Sequence, residues 1–433
     1  MKFGFRLTAI LSGFLLLASG AGFADDAMIQ SMQDQIKALN QQLSGVESRL
    51  ASVADQMATK PGIDHPGHMM PSAEGQGGLL KAAEDIQIQG HIDVQYNQNL
   101  TRRDNAIAGG NTGRIFDTDR ESFTVNQAEL DFIREANPEG GAGFRIDIAM
   151  GEDAGVVAAD GFAGDNFDLQ QAYIEYVQPL SFWEGNDILP SSINLKAGRF
   201  VTLAGLEVIE PQDNWNISRS YAFGLSIPFV HTGVRTNFKL WKDFFDVYVG
   251  VNNGWGAPVD GNEGKTWEFG LGYSVLENVS LFHAIYFGNE NTGADGSNTG
   301  GGRFLSTNVI TIDATDKLSF MAEFNVGNQN KAVTPALPKT NAEGAQWYSW
   351  NLYARYQATA KDALAYRFEY YRDDQAFSTA LSSNLFAHTL TYERKLADNL
   401  ISRAEYRYDH GAASPFASEA NMQTITAEMI YLI

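Results

Sequence analysis

The side chains best suited to act on a charged solute lie in one polar connection, residues 201–228 (VTLAGLEVIEPQDNWNISRSYAFGLSIP). Its acidic residues are Glu207, Glu210 and Asp213, and Arg219 follows them. Carboxylates and a guanidinium create a local electric field, and no recognisable catalytic motif accompanies them. They therefore favour selection of ions and polar solutes over a chemical reaction.

The same connection is rich in apolar side chains that can pack against a wall, namely Leu206, Val208, Ile209, Trp215, Ile217, Tyr221, Phe223 and Leu225. It could form a rigid cap above a barrel, or it could fold inward and narrow a pore, and we favour the second arrangement. Unpaired arginines on one wall would then face its carboxylates. We predict that the constriction also contains Arg235, Arg355, Arg367 and Arg403.

In the segments that must position these residues, apolar and polar side chains alternate with a period of two. In residues 86–97 (IQIQGHIDVQYN), Ile88, Ile92 and Val94 share one face, whereas Gln89 and Asp93 share the other. Successive side chains of a β-strand point to opposite faces, so this alternation predicts a strand. One face suits lipid and the other suits a water-filled lumen.

Segments of this kind recur about sixteen times up to residue 433, each with roughly the 9–13 residues needed to cross a bilayer at a tilt. The connections after even-numbered segments are mostly short, as at 242–243, and those after odd-numbered segments are long and polar, as at 98–120. A soluble sandwich gives no reason for this alternation. We predict an all-β fold, a transmembrane antiparallel β-barrel of about 16 strands spanning residues 86–433.

The predicted lumen face carries charges of both signs. The basic residues are Arg145, Lys196, Arg235, Lys239, Arg355, Arg367, Arg403 and Arg407, and the acidic ones are Asp147, Glu175, Glu268, Glu323, Glu369, Glu393 and Glu405. They could form a lattice of cross-strand ion pairs that stiffens the wall, or a transverse field that orients solutes. Different residues could serve each purpose.

Targeting and composition place the mature chain outside the cytoplasm. Residues 1–24 have a basic start, an apolar stretch and small residues at 22 and 24, as in a signal peptide. The chain has no Cys, which excludes disulfides and Cys-ligated metals, and its formal net charge of −21 argues against nucleic acid as a partner. We predict no catalytic residue, no metal site and no cofactor.

Residues 25–60 have a different period. Apolar residues from Ile29 to Met57 are spaced by three and four in turn, which predicts an α-helical coiled coil. Apolar residues at both seam positions favour a coiled coil of three helices, one from each chain, and hence a homotrimer. Residues 61–85 resemble a flexible linker, because they are rich in Gly, Pro, Met and His.

A set of short motifs around the third connection resembles the OmpL-like β-barrel porin family of Gram-negative envelopes. The motifs are Gly198-Arg199-Phe200, Gly205-Leu206-Glu207, Asn214, Ser218-Arg219-Ser220, Pro228 and His231-Thr232-Gly233-Val234-Arg235. The resemblance implies a passive outer-membrane porin. The chain departs from such barrels at its end, because they usually finish on Phe and this one finishes on Ile433.

We therefore expect a porin of the bacterial outer membrane, not an enzyme, with its coiled coil in the periplasm. Its expected partners are outer-membrane lipid and lipopolysaccharide, small hydrophilic solutes or ions, two further copies of itself, and peptidoglycan. An alternative is a structural barrel that sheathes an extracellular electron-transfer partner or tethers the outer membrane to the cell wall. A hydrolase is a third possibility, for which no Ser–His pair stands out.

Overall fold

The computed structural model describes residues 37, 41, 85–101, 111–158, 166–181, 185–262, 264–290, 301–330, 344–379, 383–411, 416 and 419–433. The chain divides into two units, Met1–Gly78 and Leu79–Ile433. In the first unit, Lys37 and Gln41 are helical and exposed. The predicted signal peptide, the rest of the predicted coiled coil, and the linker up to residue 84 lie outside the described residues. Among the residues described, no helix is long and apolar enough to cross a membrane.

The second unit is a closed antiparallel barrel of sixteen strands, in which β1 pairs with both β2 and β16. In chain order, β1 to β16 are Gln87–Asn99, Ser122–Arg134, Gly141–Met150, Phe167–Pro179, Ser192–Val201, Val230–Leu240, Phe245–Asn252, Thr266–Leu276, Val279–Glu290, Gly301–Thr315, Leu318–Gln329, Ala345–Gln357, Asp362–Asp373, Ser383–Ala397, Leu400–Gly411 and Asn421–Leu432. The predicted all-β barrel of about 16 strands is confirmed.

Burial along the strands is the reverse of that in a soluble protein. In β1, Asp93 is fully buried, whereas its neighbour Ile92 is 40% exposed. In β6, Arg235 is buried and Val234 is 41% exposed. The apolar side chains therefore face outward and the polar ones face the lumen, as a bilayer outside and water inside require.

The connections at the two rims differ in length. Between strands, residues 241–244, 277–278, 316–317 and 398–399 form short turns at one rim. The other rim carries the long connections 100–121, 151–166, 202–229, 253–265, 291–300, 330–344, 374–382 and 412–420. One short-turn connection, 180–191, is longer than its neighbours. Both ends of the barrel chain, at β1 and β16, lie at the short-turn rim.

Exposed aromatic side chains mark the outer face towards both rims. Phe123 and Trp267 lie near the long-loop rim, and Tyr356, Tyr431 and Trp241 lie near the short-turn rim. Aromatic rings at these two levels are typical of barrels that sit in a membrane, because the rings favour the boundary between hydrocarbon and head groups.

Candidate functional site

The third long connection, residues 202–229 (hereafter loop 3), begins against the part of the barrel wall formed by β9 and β10. The hydroxyl of Thr202 and the amide of Leu203 both donate to Oη of Tyr286, at 3.1 and 2.8 Å. The amide of Gly205 donates to Oγ1 of Thr307 at 3.2 Å. Tyr286 is buried and Thr307 points inward from β10, so the start of loop 3 lies inside the barrel rather than above it.

The middle of loop 3 contacts the opposite wall through one carboxylate. Glu405, on β15, accepts hydrogen bonds from the amides of Ile217 and Ser218 at 2.6 and 3.0 Å, and from the Ser218 hydroxyl at 2.5 Å. Hydrogen bonds between a carboxylate and backbone amides are stronger than neutral ones. Glu405 therefore holds a stretch of loop backbone that has no regular secondary structure.

Arg367, on β13, is the most heavily engaged side chain of this region. It is fully buried and contacts Oε1 of Glu207 at 2.6 Å and Oε1 of Glu369 at 2.7 Å. It also donates to the backbone oxygen of Ser218 at 2.5 Å. One guanidinium thus joins two carboxylates and the loop backbone, an arrangement that suits its planar, multiple-donor geometry.

Two further arginines, both on β15, bind loop 3 by its backbone carbonyls. Arg403 donates to the oxygen of Pro211 at 2.8 Å, and Arg407 donates to the oxygen of Arg219 at 2.7 Å. Each also has an acidic partner: Glu393 at 2.8 Å for Arg403, and Asp409 at 2.9 Å for Arg407. We refer to the inward-facing residues Arg355, Arg367, Arg403 and Arg407 as the arginine wall.

All four strand arginines of the predicted constriction, Arg235, Arg355, Arg367 and Arg403, have acidic partners in the structure. Besides Arg367 and Arg403, Arg355 contacts Glu393 at 2.7 Å. Arg235 contacts Glu268 at 2.6 Å but lies on β6, away from the arginine wall. The expectation that these arginines are unpaired is wrong, and the salt-bridge lattice describes them better.

The charged residues of loop 3 differ in exposure. Glu207 is buried against Arg367, whereas Glu210 is half-buried and Asp213 is exposed. Surrounding protein atoms displace part of the water around both carboxyls, which raises the pKa of Glu210 and of Asp213, and for Asp213 the nearby Arg403 opposes the shift. Glu210 and Asp213 are therefore the loop carboxylates that remain accessible to a passing solute.

Arg219 is turned into the loop rather than toward open solvent. It is buried and donates to the backbone oxygens of Ile209 and Ile217 at 2.6 and 3.1 Å. Its guanidinium lies 5.9 Å from the ring centre of Phe116, which belongs to the first long connection. Arg219 therefore fixes the shape of loop 3 and its contact with the connection 100–121.

A second group of charged side chains lies on β1 to β3. These side chains are acidic, and fewer arginines contact them than on the arginine wall. We refer to Asp93, Glu129, Asp131 and Asp147, all buried, as the carboxylate wall. Arg145 contacts Asp147 at 2.8 Å and Asp131 at 3.5 Å. Asp93 and Glu129 are hydrogen-bonded by glutamine amides, at 2.8 and 2.7 Å.

Sequence reasoning placed Asp93 and Asp147 on the lumen face but missed Glu129 and Asp131, and a β-bulge explains why. The pairing of β1 with β2 shifts between Asp93 and Val94, so Asn126 and Gln127 are both buried although they are adjacent. The period of two therefore changes phase within β2. The alternation of Gln127, Glu129 and Asp131 after that point is the signal that could have identified them.

Comparison with known proteins identifies both the family and the fold. Residues 85–433 match the family described as "Putative beta-barrel porin-2, OmpL-like". Similar solved structures are the outer membrane channel DcaP of Acinetobacter baumannii, the trimer form of OmpT of Vibrio cholerae, and an anion-selective porin from Comamonas acidovorans. They are 12%, 13% and 11% identical, with TM-scores of 0.53, 0.51 and 0.52. Each alignment covers 80% of this chain, and 97%, 99% and 99% of theirs. No curated protein matches the sequence.

Proposed function

This chain belongs to the OmpL-like family of beta-barrel porins, and from that premise we propose that its outer-membrane channel is narrowed by loop 3. The observation that carries the proposal is the attachment of loop 3 to inward-facing side chains of β9, β10, β13 and β15. A loop bound at that depth reduces the cross-section open to diffusing solutes.

The predicted constriction residues then fall into two groups. Glu207, Arg219, Arg367 and Arg403 hold the loop, because each is buried and bonded to loop atoms. Glu210 and Asp213 border the gap. Arg235 and Arg355 contribute charge from the walls on either side, partly neutralised by Glu268 and Glu393. Such a gap favours small hydrophilic solutes and ions over apolar molecules, because entry of an apolar molecule displaces water from charged groups.

Conductance in planar bilayers tests this proposal. The wild-type protein should form ohmic channels with a cation preference, measured as a reversal potential in a salt gradient. The double variant Glu210→Gln/Asp213→Asn should shift that potential toward anions. Asp398→Asn, an exposed change in a short turn, is the matched control and should leave it unaltered. An unchanged reversal potential in the double variant would place the constriction elsewhere, and folded wild-type protein without conductance would overturn the channel.

We propose further that the porin is a homotrimer whose N-terminal coiled coil lies in the periplasm. The heptad spacing of residues 29–57 supports this, as does the trimer form of OmpT. The coiled coil precedes β1, which starts at the short-turn rim, the periplasmic rim in barrels of this kind. A monomeric mass for the full chain in mild detergent, from light scattering, would contradict the trimer.

The alternative of a sheath around an electron-transfer partner is less well supported than the channel, because the family is one of porins. Membership of that family also favours a channel over an enzyme. Outer-membrane lipid and lipopolysaccharide are proposed as the surroundings of the barrel, since the outward face is apolar. Peptidoglycan remains a proposed contact of the N-terminal segment only.

A further inference from the structure

We propose that a cavity in the lumen wall near the short-turn rim binds small organic ammonium cations that carry an apolar group. The cavity has a volume of about 440 Å³ and lies on β7 to β10. Sites for small molecules usually have volumes of about 300–1,000 Å³. The proposal rests on the channel proposed above, because solutes reach this cavity through the lumen, and it names a class of solute that the channel would bind.

The shape of the cavity depends on a glycine in the middle of one row of the wall. Asp246, Gly272 and Phe282 are register partners on β7, β8 and β9. A Cβ on Gly272 would lie 3.2 Å from Cδ2 of Phe282 and 3.5 Å from Cβ of Asp246. The absence of a side chain on β8 therefore allows an aromatic ring and an acidic side chain to border the same small space.

The aromatic side of the cavity is formed by Phe282. Its ring packs edge-on against that of Tyr248, with 5.9 Å between ring centres and 68° between ring planes. Val309, its register partner on β10, lies on the other side and also lines the cavity. Phe282 itself is half-buried, so part of its ring stays open to a ligand. The face of an aromatic ring attracts ammonium groups, because it carries partial negative charge.

The charged side of the cavity is formed by carboxylates. Asp246 is half-buried, and its Oδ1 accepts a hydrogen bond from Nδ2 of Asn237 at 3.3 Å. Lys239 is its register partner on β6, but among the described residues Asp246 has no ion pair. Asp243, in the turn before β7, also lines the cavity, and no basic side chain of the described chain does. The cavity therefore attracts cations and repels anions.

Hydroxyl groups occupy the next row toward the short-turn rim. Ser274 and Ser280 are register partners whose Oγ atoms lie 3.0 Å apart, and Thr311 is paired with Ser280 from β10. Hydroxyl oxygens can accept hydrogen bonds from the N–H groups of an ammonium ion. A neutral aromatic solute would use the ring but not the carboxylates, and an anion would meet Asp246 as a like charge. An ammonium ion with an apolar group uses all three features.

Ligand binding to the refolded full-length protein tests this site without a channel measurement. Isothermal titration calorimetry in detergent, with protein-free micelles as the blank, compares benzylammonium, benzyl alcohol and benzoate, which share a ring and differ in charge. We expect saturable binding of benzylammonium, at least about tenfold weaker binding of benzyl alcohol, and no saturable binding of benzoate. Asp246→Asn should lower the affinity for benzylammonium about tenfold. Asp316→Asn, an exposed change in a short turn at the same rim, is the matched control and should bind as the wild type does.

A second variant keeps the test decisive if Asp246→Asn does not fold. Phe282→Leu keeps an apolar side chain but removes the ring, and it should lower the affinity for benzylammonium at least about threefold. Heat-modifiable migration on gels verifies folding of each variant. Absence of benzylammonium binding by the folded wild type, wild-type affinity in either folded variant, or tighter binding of benzoate or benzyl alcohol would each overturn the proposal.

The outcomes for the site and for the channel are separate. A protein that conducts ions but does not bind benzylammonium would overturn this site and leave the proposed channel intact. A folded protein that binds benzylammonium but does not conduct would overturn the channel alone.

Discussion

The two charged walls of the lumen contain the same kinds of residues, but they differ in how completely their charges are paired. On the arginine wall every guanidinium has an acidic partner, and three of the four also bind the backbone of loop 3. On the carboxylate wall, one arginine, Arg145, contacts only two of the four acids. One wall is electrically satisfied and the other is not.

This difference separates structural charge from functional charge. Removing one member of a buried ion pair leaves the other uncompensated and is strongly destabilising. Removing one of several crowded like charges relieves repulsion instead. The sign of the stability change on neutralising a buried residue therefore reports which wall it belongs to.

The largest effect is expected from Arg367→Met. The change leaves Glu207 and Glu369 buried without their counter-charge, which costs about 3–5 kcal/mol. Urea unfolding in lipid vesicles measures the loss, and single-channel conductance should rise because loop 3 is released. Arg372→Met, an exposed position on the same strand, should stay within about 0.5 kcal/mol of the wild type. Wild-type conductance in a folded Arg367→Met protein would show that loop 3 is held by other contacts.

A smaller, pH-dependent effect is expected beside the carboxylate wall, at Asp153 in the helix α1 (Glu152–Val157). Burial raises the pKa of Asp153 to about 6, although Arg219 opposes the shift. Between pH 4 and 6 the unfolded chain therefore loses this proton while the folded chain keeps it. The folded state becomes less stable as pH rises through that window, by at most about 3 kcal/mol, and the loss is complete above about pH 6.

Asp153→Asn should abolish this pH-dependent loss of stability, because the amide does not titrate. Its gain in unfolding free energy over the wild type should grow from pH 4 to 6 and then stay constant. Comparing urea unfolding of the two proteins at several pH values isolates the one carboxyl from other titrating groups. A difference that is independent of pH would mean that Asp153 keeps an ordinary pKa.

The smallest effect is expected from Glu129→Gln, and the sign of the change in unfolding free energy is the informative part. The amide cannot ionise beside Asp131 and can donate a hydrogen bond to it. We expect stabilisation of about 1 kcal/mol. Glu393→Gln on the arginine wall should destabilise instead, because Arg355 and Arg403 both contact that carboxylate. The same sign for both variants would erase the distinction between the walls.

The barrel could be predicted from the sequence because the bilayer imposes one rule on every strand. Alternation is required wherever lipid lies on one side and water on the other, so all sixteen strands lie close to the predicted segments. The rule weakens at bulges. In the sequence, the alternation slips phase in segments 121–134, 278–289, 303–314 and 384–395. The structure has irregular pairing in or beside them, at Asp93/Val94, Ser274/Leu276, Asp313/Thr315 and Lys395/Ala397.

The partners within the lumen could not be predicted, because they are distant along the chain. Arg367 and Glu207 are 160 residues apart, and nothing local to either residue indicates the other. The period of two shows that Arg367 points inward, but it applies only to strands and does not show which strand loop 3 crosses to meet. The cluster on β2 was missed for a different reason, since the bulge moved Gln127, Glu129 and Asp131 to the other phase of the pattern.

The seam between β1 and β16 governs how the protein can be made. The final residue, Ile433, donates its amide to the backbone oxygen of Gly90 at 2.8 Å. On its other side, β1 lies so close to β2 that a Cβ on Gly90 would be 2.1 Å from the backbone oxygen of Glu129, so glycine is required at this position. Until the last strand has been synthesised, one edge of β1 has unpaired backbone N–H and C=O groups. The hydrocarbon of a bilayer offers no hydrogen bonds to such groups. Insertion must therefore follow completion of synthesis, and the exported polypeptide must be kept from aggregating during its transit to the membrane.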